Sequence, residues 1–436
     1  MSIHSIVYNI IFIPIAIIIK KIWQLFNPKL KERERNWKSS MEDMKPLESK
    51  LNAEESFVIW FHSASMGEFE QAKPVIEELK RTRENVIAVC SFFSPSGYNH
   101  QRHYPFADAV VYLPFDTKSN TKYFLRQVKP DIAVFVRYEI WRNFLEELKA
   151  SKVPALLINA TFPRSILLNF FKSFLRSTLN LFKEIYTINY KQTNKFNSLG
   201  LTTKVETLAD TRFDRIIANI ENAKTNPKFR YELFDESEFV IVAGSTWEPD
   251  EKLIFSAIDR LNSDGKELRL ILVPHEPTEN NIMRIRKLAK NSVLLSEIEK
   301  LPFPATPNEL KDFVKGKIII VDSVGKLLGL YRYAKVAYIG GAFGDGVHSV
   351  TEPAGYGIPL AAGSNISSSP DAVDLALLGC LHTVRDSNEL YLWLKELMEN
   401  PNEADQLGHI AKNYVYSRQG ASKVISSRIL ELWNKS

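Results

Sequence analysis

Cysteine is almost absent from this sequence, since Cys90 and Cys380 are the only two in 436 residues. Two distant cysteines provide neither a disulfide framework nor a zinc cage, so we expect a reducing compartment and no cysteine-bound metal. An excess of one charge is also lacking, because 56 Lys and Arg stand against 51 Asp and Glu. This near balance argues against a general nucleic-acid binder, which carries a clearly basic surface.

One long apolar run stands at the N-terminus. Between Ile3 and Ile19 no residue carries a fixed charge, and Lys20 and Lys21 end the run. At about 1.5 Å per residue, this length is at the short end of what crosses a hydrocarbon core of about 30 Å, so the run either spans a membrane or lies in its interface. A cleaved signal peptide fits less well, because the positive charge follows the apolar run and no small-residue cleavage site is visible.

A basic segment follows the apolar run, with Trp23 and Phe26 spaced for headgroup depth. Its cations are Lys20, Lys21, Lys29, Lys31, Arg33, Arg35 and Lys38. Such a segment favours the anionic cytoplasmic leaflet, although a solvated helix has the same composition. We therefore predict that residues 1–45 form a membrane anchor with a basic juxtamembrane segment, and that the bulk of the protein is cytoplasmic.

Short β-rich runs alternate with helical stretches from residue 50 onward. The first series is Phe57–Phe61, Val86–Cys90, Val110–Leu113, Ile132–Val136 and Ala155–Asn159. The second series is Phe239–Ala243, Leu268–Val273, Lys317–Val321, Val336–Ile339 and Ile358–Ala361. This alternation predicts an α/β chain of two doubly wound, Rossmann-like domains, 46–210 and 211–436, with the terminal helices in the second. The carboxyl ends of both sheets are expected at a shared cleft.

Five glycines lie between Gly340 and Gly355, in the segment YIGGAFGDGVHSVTEPAGYG that starts at Tyr338. Glycine is conformationally costly, so these positions serve either tight turns or the close approach of backbone to a ligand. A loop between a strand and a helix can direct N–H groups at an anion, although this one matches neither the dinucleotide fingerprint nor the P-loop. His348 and Glu352, four residues apart, can face the same side and contact a phosphate and a sugar hydroxyl.

A second candidate segment leaves the first strand and enters a helix. Ser65 and Glu68 match the Ser-x-x-Glu capping box, in which the carboxylate folds back on the Ser65 amide. The same carboxylate, beside Gly67 at the carboxyl edge of the strand, could instead accept a proton from a hydroxyl group. The helix dipole lowers the pKa of such a carboxyl group and burial raises it, and the sequence does not decide between them.

Nearly the whole chain resembles the Kdo transferases of lipopolysaccharide synthesis, which move 3-deoxy-D-manno-octulosonic acid (Kdo) from CMP-Kdo to a lipid A precursor. The similar segments, in chain order after the N-terminal anchor, are HSASMGE (62–68), SFFSPSGY (91–98), YLPFDT (112–117), YEIW (138–141), DTRFD (210–214), GSTW (244–247), LVPHEP (272–277), DSVGKL (322–327) and GGAFGDGVHSVTEP (340–353). Several independent motifs in one order make this resemblance specific.

The resemblance implies the glycosyltransferase B (GT-B) fold, in which two Rossmann-like domains face a central cleft. It implies inverting transfer with no bound metal or other cofactor, CMP-Kdo being the donor substrate. The implied partners are CMP-Kdo, a lipid A precursor and the cytoplasmic leaflet of the cell inner membrane, without nucleic acid. Two alternatives stay open: a GT-B relative that uses another nucleotide sugar, such as a UDP-sugar epimerase or a lipid glycosyltransferase, and a membrane-tethered binding protein that has lost catalysis.

The resemblance also assigns site residues. It makes Glu68 the general base that deprotonates the acceptor hydroxyl, and it places Ser65, Gly67, Glu139 and Trp141 at the acceptor side of the cleft. The residues that it places around the donor are Arg212, Pro274, His275, Gly325, Lys326, Leu327, Gly341, Gly346, His348, Ser349, Val350, Thr351 and Glu352. Three of these residues have ordinary structural explanations: Trp141 as core, Glu139 as an ion-pair partner and Arg212 as a solvated cation.

The chain departs from the common family pattern near the donor. Ser349 stands where many members have Asn, and a hydroxyl cannot make the two-sided hydrogen bonds of an amide. His275 and Glu276 replace a common Arg-His pair, which exchanges a permanent cation for one that titrates near neutrality. Other departures are Lys326 for an acidic residue, Ala209 for glycine, Arg142 for proline, and the segment SNISSSPDAV (364–373).

Overall fold

The chain folds as two compact units, described here from a computed structural model. The structure describes residues 2–434 except 52, 54, 164–171, 226–231 and 302–306. The first unit comprises Met1–Arg215 and Arg418–Ser436, and the second comprises Ile216–Ser417. The division therefore falls a few residues after the boundary at residue 210 that the sequence predicts.

The first unit is built on a seven-stranded parallel sheet in the order β3-β2-β1-β4-β5-β6-β7. Its strands are β1 Phe57–Ser63, β2 Val86–Phe92, β3 Ala109–Tyr112, β4 Ile132–Val136, β5 Ala155–Ala160, β6 Glu184–Thr187 and β7 Lys204–Thr207. Its helices are α1 Ile3–Val7, α2 Ile13–Phe26, α3 Pro28–Ser40, α4 Glu48–Leu51, α5 Met66–Thr82, α6 Pro95–Gln101, α7 Lys118–Val128, α8 Arg142–Ala150, α9 Lys172–Leu179, α10 Tyr190–Asn197 and the start of α11 Arg212–Thr225.

Strand β1 shows why this sheet is buried on both faces. All of its residues are buried, and Val58 and Trp60 enter one hydrophobic cluster whereas Phe57, Ile59 and Phe61 enter another. Alternate residues of a strand point to opposite faces, so a continuous apolar run covers both sides of a parallel sheet.

The second unit repeats this plan, with a seven-stranded parallel sheet in the order β10-β11-β9-β8-β12-β13-β14. Its strands are β8 Val240–Thr246, β9 Arg269–Pro274, β10 Ser292–Leu294, β11 Ile318–Ile320, β12 Val336–Ile339, β13 Leu360–Gly363 and β14 Leu381–Val384. Its helices, after the remainder of α11, are α12 Glu248–Ser263, α13 Glu279–Leu288, α14 Leu295–Glu299, α15 Pro307–Val314, α16 Leu327–Leu330, α17 Thr351–Tyr356, α18 Pro370–Leu377, α19 Ser387–Glu399 and α20 Pro401–Tyr416.

The ten strands that the sequence predicts are confirmed, and four further strands escaped prediction. The missed strands are β6, β7, β10 and β14, with the sequences EIYT, KVET, SVL and LHTV. Each is three or four residues long, and three of them stand at a sheet edge. Such strands carry polar residues and lack the apolar run by which a buried strand is recognised.

The apolar N-terminus is helical over Ile3–Phe26, long and apolar enough to cross a membrane. One face of this helix nevertheless contacts the first unit through polar side chains. The Tyr8 hydroxyl donates to Asp116 Oδ2 at 2.8 Å, and Asn9 Nδ2 donates to Asn143 Oδ1 at 2.9 Å. The side chains of Ile10, Ile15, Ile18 and Ile22 on the helix remain exposed. The helix is therefore amphipathic, with a polar face bound to the first unit and a large apolar surface free.

Two cations of the basic segment are used inside the first unit. Arg33 is fully buried, where its Nη2 donates to the Leu113 carbonyl at 2.7 Å and its guanidinium lies 3.9 Å from the centre of the Phe93 ring. Lys20 forms an ion pair with Glu34 at 2.8 Å. Arg33 thus fastens the segment to the rest of the first unit, whereas the Lys20 ion pair joins α2 to α3 within the segment and its ammonium group also lies 4.8 Å from the centre of the Phe115 ring.

The last helix, α21 Ala421–Trp433, lies in the first unit rather than with the terminal helices of the second. The Trp433 ring stacks on Phe57 of β1 at 4.6 Å, and Arg428 Nη2 pairs with Glu184 Oε1 of β6 at 2.6 Å. The prediction kept residues 211–436 together because the apolar spacing of a helix does not identify the surface that it covers.

Replacing Ile429 by Ala should destabilise the first unit. Ile429 is fully buried in the cluster that contains β1 and α5, so the substitution should remove about 2–5 kcal/mol from the free energy of unfolding. Val424 lies on the same helix but is exposed, and Val424→Ala should change that free energy by less than about 0.5 kcal/mol. Urea unfolding followed by circular dichroism compares the two variants, and equal effects would contradict this placement of α21.

Candidate functional site

The strand order of each sheet reverses at one point. In the first unit β1 lies beside β4, and in the second unit β8 lies beside β12. The strands that come between them in the sequence, β2 and β3 in the first unit and β9 to β11 in the second, lie on the other side of β1 and of β8. At such a switch point the loops leave in opposite directions, and the crevice at the carboxyl ends of the strands is the usual ligand site of this architecture. The motifs that the sequence singles out follow these four strands.

Glu68 lies just after β1, in the first turn of α5, and is buried. Its Oε2 accepts hydrogen bonds from the backbone N–H of Ala64 at 2.6 Å and of Ser65 at 3.1 Å. Glu68 therefore does cap the N-terminus of α5, as the capping box predicts. Gly67 beside it is exposed, and a Cβ at this position would meet nothing within 4 Å, so the described chain makes no close approach there.

The pKa of Glu68 is raised. Burial is the largest cause and the charge of Glu139 adds to it, whereas the amides of Ser65 and Ala64 and the neighbouring His62 act in the opposite direction. The competition between burial and the helix N-terminus, which the sequence left undecided, is thus won by burial. A carboxylate with a raised pKa is a stronger base than an ordinary glutamate.

Glu139 follows β4 and belongs to a buried polar network. Its Oε2 accepts from the Trp141 indole N–H at 2.8 Å and lies 3.2 Å from His62 Nε2. On the other side of the same ring, His62 Nδ1 lies 2.9 Å from the Ser91 hydroxyl, which accepts from Trp60 Nε1 at 2.7 Å. The network fixes the Glu139 carboxylate beside Glu68 at the switch point.

Arg212 is held at the start of α11. Its Nε donates to Asp210 Oδ2 at 2.9 Å, and its backbone N–H donates to Asp210 Oδ1 at 2.9 Å. Asp210 also accepts from Gln71 Nε2 of α5 at 2.8 Å. The guanidinium is thus positioned by a buried carboxylate rather than loosely solvated.

The second unit contains a cavity of about 440 Å³ at its switch point. It is lined by Trp247, Pro249, Asp250, His275, Gly341, Phe343, Gly344, Asp345, Gly346 and His348. Four of these residues belong to the predicted donor set, namely His275, Gly341, Gly346 and His348. The structure therefore brings the segment after β9 and the glycine loop after β12 to one place.

Asp250 connects the two sides of this cavity. It is buried in the first turn of α12, where its Oδ2 accepts from the N–H of Trp247 at 2.9 Å and of Gly341 at 3.0 Å. Its Oδ1 accepts from the Tyr338 hydroxyl at 2.9 Å. One carboxylate thus caps a helix and fixes the first turn of the glycine loop.

Most amides of the glycine loop are used within the fold. The N–H of Gly344 and of Gly346 both donate to the Gly341 carbonyl, at 3.0 and 3.2 Å, and the N–H of His348 donates to the Gly340 carbonyl at 3.1 Å. A Cβ at Gly340 would lie 2.3 Å from the Ser245 carbonyl oxygen, so only glycine fits against the end of β8. The glycines therefore serve tight turns and close packing first.

The glycine loop leaves fewer backbone N–H groups available to bind an anion than the sequence predicts. In the part of the chain that the structure describes, the N–H groups of residues 349–351, at the entry to α17, donate no hydrogen bond to the protein. Ser349 is exposed there, and its hydroxyl lies 3.3 Å from that of Thr351. An anion held by this loop would therefore meet the entry to α17 and the side chains of the cavity.

Three aromatic rings form one wall of the cavity. The imidazoles of His275 and His348 stack with centroids 4.3 Å apart and planes 11° apart, and the Trp247 ring lies 4.8 Å from His275. The indole Nε1–H of Trp247 donates to His348 Nε2 at 3.1 Å. Burial lowers the pKa of His348, the charge of His275 lowers it further, and Asp250 opposes both.

The other predicted donor residues do not line this cavity. Lys326 forms an ion pair with Glu299, and Glu352 lies in the first turn of α17. Pro274, Val350 and Thr351 are buried. Gly325 has φ +80°, and Leu327 fills the space beside Gly244. These positions keep their donor assignment as a prediction from the resemblance.

Sequence reasoning missed three residues that the structure places at the switch points. His62, Trp247 and Asp250 each contact a predicted site residue, as described above. His62 and Trp247 stand in the HSASMGE and GSTW segments, directly at the ends of β1 and β8. Their position at a strand end was the available signal, whereas the Asp250 contact with Gly341 depends on the packing of α12.

The family model described as "3-Deoxy-D-manno-octulosonic-acid transferase (kdotransferase)" matches residues 30–215. Curated relatives carry the name 3-deoxy-D-manno-octulosonic acid transferase. The one from Rickettsia prowazekii is 25% identical over 394 residues, which cover 88% of this chain and 81% of the relative. The match therefore extends across both units.

Solved structures share the fold. UDP-GlcNAc 2-epimerase from Neisseria meningitidis, bound to UDP-GlcNAc, superimposes with a TM-score of 0.59 at 16% identity and covers 86% of this chain and 99% of its own. MurG from Acinetobacter baumannii gives a TM-score of 0.51 at 11% identity and covers 86% of this chain and 99% of its own. These likenesses, with the two parallel seven-stranded sheets, establish the GT-B fold that the sequence predicts.

Replacing Glu139 by Gln should lower the pKa of Glu68. The amide can still accept from Trp141, but the negative charge that opposes ionisation of Glu68 is gone. Carboxyl carbon NMR across a pH titration measures this pKa in both proteins. Glu78→Gln, on the exposed part of α5, is the control and should leave it unchanged. An unchanged or higher pKa in the Glu139 variant would contradict the coupling.

Proposed function

We propose, from its similarity to Kdo transferases over most of its length, that the chain is a glycosyltransferase that moves Kdo from CMP-Kdo to a lipid A precursor in lipopolysaccharide synthesis. The observation that carries the proposal is the match of residues 30–215 to the family model, continued over most of the chain by curated relatives of the same name. The GT-B fold agrees with an enzyme of this type.

In the proposed reaction Glu68 is the general base. A hydroxyl oxygen of the acceptor attacks the anomeric carbon of Kdo, the bond from that carbon to the phosphate oxygen breaks, and CMP leaves with the bonding electrons. The hydroxyl proton passes to Glu68, and attack from the face opposite CMP inverts the anomeric centre. Burial and the nearby Glu139 raise the pKa of Glu68, which supports this role.

Negative charge develops on the leaving phosphate as CMP departs. In the second unit we assign its stabilisation to His275 and His348 in the cavity and to the amides at the entry to α17. The resemblance also assigns Arg212, whose guanidinium is held by Asp210 in the first unit, to the donor. The proposal includes no metal, because the resemblance implies that protein groups perform this stabilisation.

We also propose that the N-terminal helix places the enzyme on the cytoplasmic face of the inner membrane. Because Tyr8 and Asn9 bind the first unit, the helix is expected to lie in the interface with its exposed isoleucines toward the acyl chains. The protein should then sediment with membranes and stay there in high salt, since apolar contacts are not screened. Release by salt alone would contradict this assignment.

Product analysis tests the reaction. Purified protein, CMP-Kdo and a tetra-acyl lipid A precursor should give a product heavier by one or more Kdo residues in mass spectrometry, with or without EDTA. Loss of product in EDTA would contradict the metal-free reaction.

A binding assay tests the alternative of an enzyme that uses another nucleotide sugar. The epimerase-like fold and the departures at His275 and Ser349 favour this alternative, and binding of UDP-sugars in preference to CMP would support it.

Glu68→Gln separates the two roles of this residue. A glutamine oxygen can still accept from the amides of Ala64 and Ser65, so the helix cap and the fold should persist. Without a base, the turnover number should fall by about 100- to 10,000-fold, whereas CMP binding should be unchanged. Glu78→Gln, which alters an exposed ion pair on the same helix, should retain normal turnover. Near-normal turnover of Glu68→Gln would remove Glu68 from its proposed role.

A further inference from the structure

The charges of the cavity in the second unit do not by themselves suit an anion. Its charged and titratable lining residues are Asp250, Asp345, His275 and His348, and its described lining contains no lysine or arginine. With both imidazoles neutral, the lining therefore carries two carboxylates and no cation. A phosphate that entered this cavity would need at least one protonated histidine.

The ring geometry holds His348 in its neutral form while the cavity is empty. Because Trp247 donates to His348 Nε2, this nitrogen carries a lone pair, and the proton of the neutral ring is on Nδ1. Protonation of His348 must break that hydrogen bond. The His275 ring stacks on the His348 ring with centroids 4.3 Å apart and is exposed to solvent. At this distance two imidazolium rings repel each other.

We propose that His275 and His348 form a single anion site that takes up a proton when it binds the phosphate of the nucleotide, and that Trp247 keeps this site uncharged when empty. The inference rests on the proposed function for the identity of the nucleotide, and it extends that function by making donor binding proton-dependent. Among the described residues that line the cavity, none supplies the constant positive charge that an arginine at position 275 would give.

The sign of the pH dependence follows from the bound anion. A phosphate favours the protonated imidazole and so raises the pKa of the pair above its value in the empty protein. Binding is then tightest at low pH, and it weakens as pH rises from the pKa of the empty pair toward that of the occupied pair. Within this interval the dissociation constant should rise by about tenfold per pH unit if one proton is bound. Asp250, which faces His348, favours the protonated form of that ring, and Asp345 is the other carboxylate that lines the cavity.

The test uses the 5′-methyl phosphodiester of CMP, because its single phosphate charge does not titrate near neutrality. Calorimetric titrations from pH 5.5 to 8.5 should show the predicted weakening for the natural protein. His275→Arg should bind with a dissociation constant that is nearly independent of pH, because a guanidinium stays protonated. His382→Gln is the control, since this histidine stacks on Trp393 elsewhere in the second unit and should leave the pH dependence unchanged.

Histidine NMR supplies a second readout that does not depend on nucleotide recognition. Saturating sulfate should raise the pKa of the resonances that disappear in His275→Gln and His348→Gln, but not that of His382.

Diester binding that is equally tight at all pH values would overturn the inference and leave the proposed transfer intact. Sulfate-dependent shifts without diester binding would support the anion site and count against CMP-Kdo as the donor. Failure of sulfate and diester alike to shift these resonances would overturn the inference.

Discussion

In both units all the described strands of a sheet run parallel to one another, and this constraint determines where chemistry can occur. All carboxyl ends meet at one edge of each sheet, and the reversal of strand order opens one crevice there. In the first unit this point collects His62, Glu68 and Glu139, and in the second it collects Trp247 and His348. Polar groups elsewhere along these strands would be buried between helices, where each would need a partner.

Structural and chemical roles coincide at these strand ends. Glu68 caps α5 through a single carboxylate oxygen, and its carboxylate also interacts with the Tyr138 hydroxyl, so the capping role does not occupy the whole group. Asp250 likewise caps α12 while it fixes Gly341. A capping box therefore does not argue against a catalytic carboxylate, because burial in the first turn of a helix both requires the cap and changes the proton affinity of the group.

The sequence was most informative where one interaction dominates a segment. Apolar runs such as Phe57–Phe61 predicted the central strands, since burial on both faces requires them. Prediction from the sequence failed for edge strands such as β7, whose residues are partly exposed. It also failed to place α21, because the apolar stripe of this helix does not show that β1 and α5 are its partners. Glu68 was found from its position just after a strand, whereas Glu139 was assigned only through the resemblance. The Trp247 hydrogen bond to His348 joins residues 101 positions apart and could not be predicted from local spacing.

The electrostatics of the second unit bear on turnover as well as on binding. In the proposed reaction the donor carries one phosphodiester charge, whereas the released CMP is a phosphomonoester whose second ionisation lies near pH 6, so it approaches two charges at neutral pH. A permanent cation at position 275 would bind the more highly charged product more tightly than the donor. A histidine takes up its proton on binding and gives it up only when the anion leaves, so at a pH above the pKa of the empty pair the cost of protonation weakens the binding of either nucleotide. In the proposed site, His348 can return to its hydrogen bond with Trp247 once the anion has left, and the pair of rings is then uncharged again.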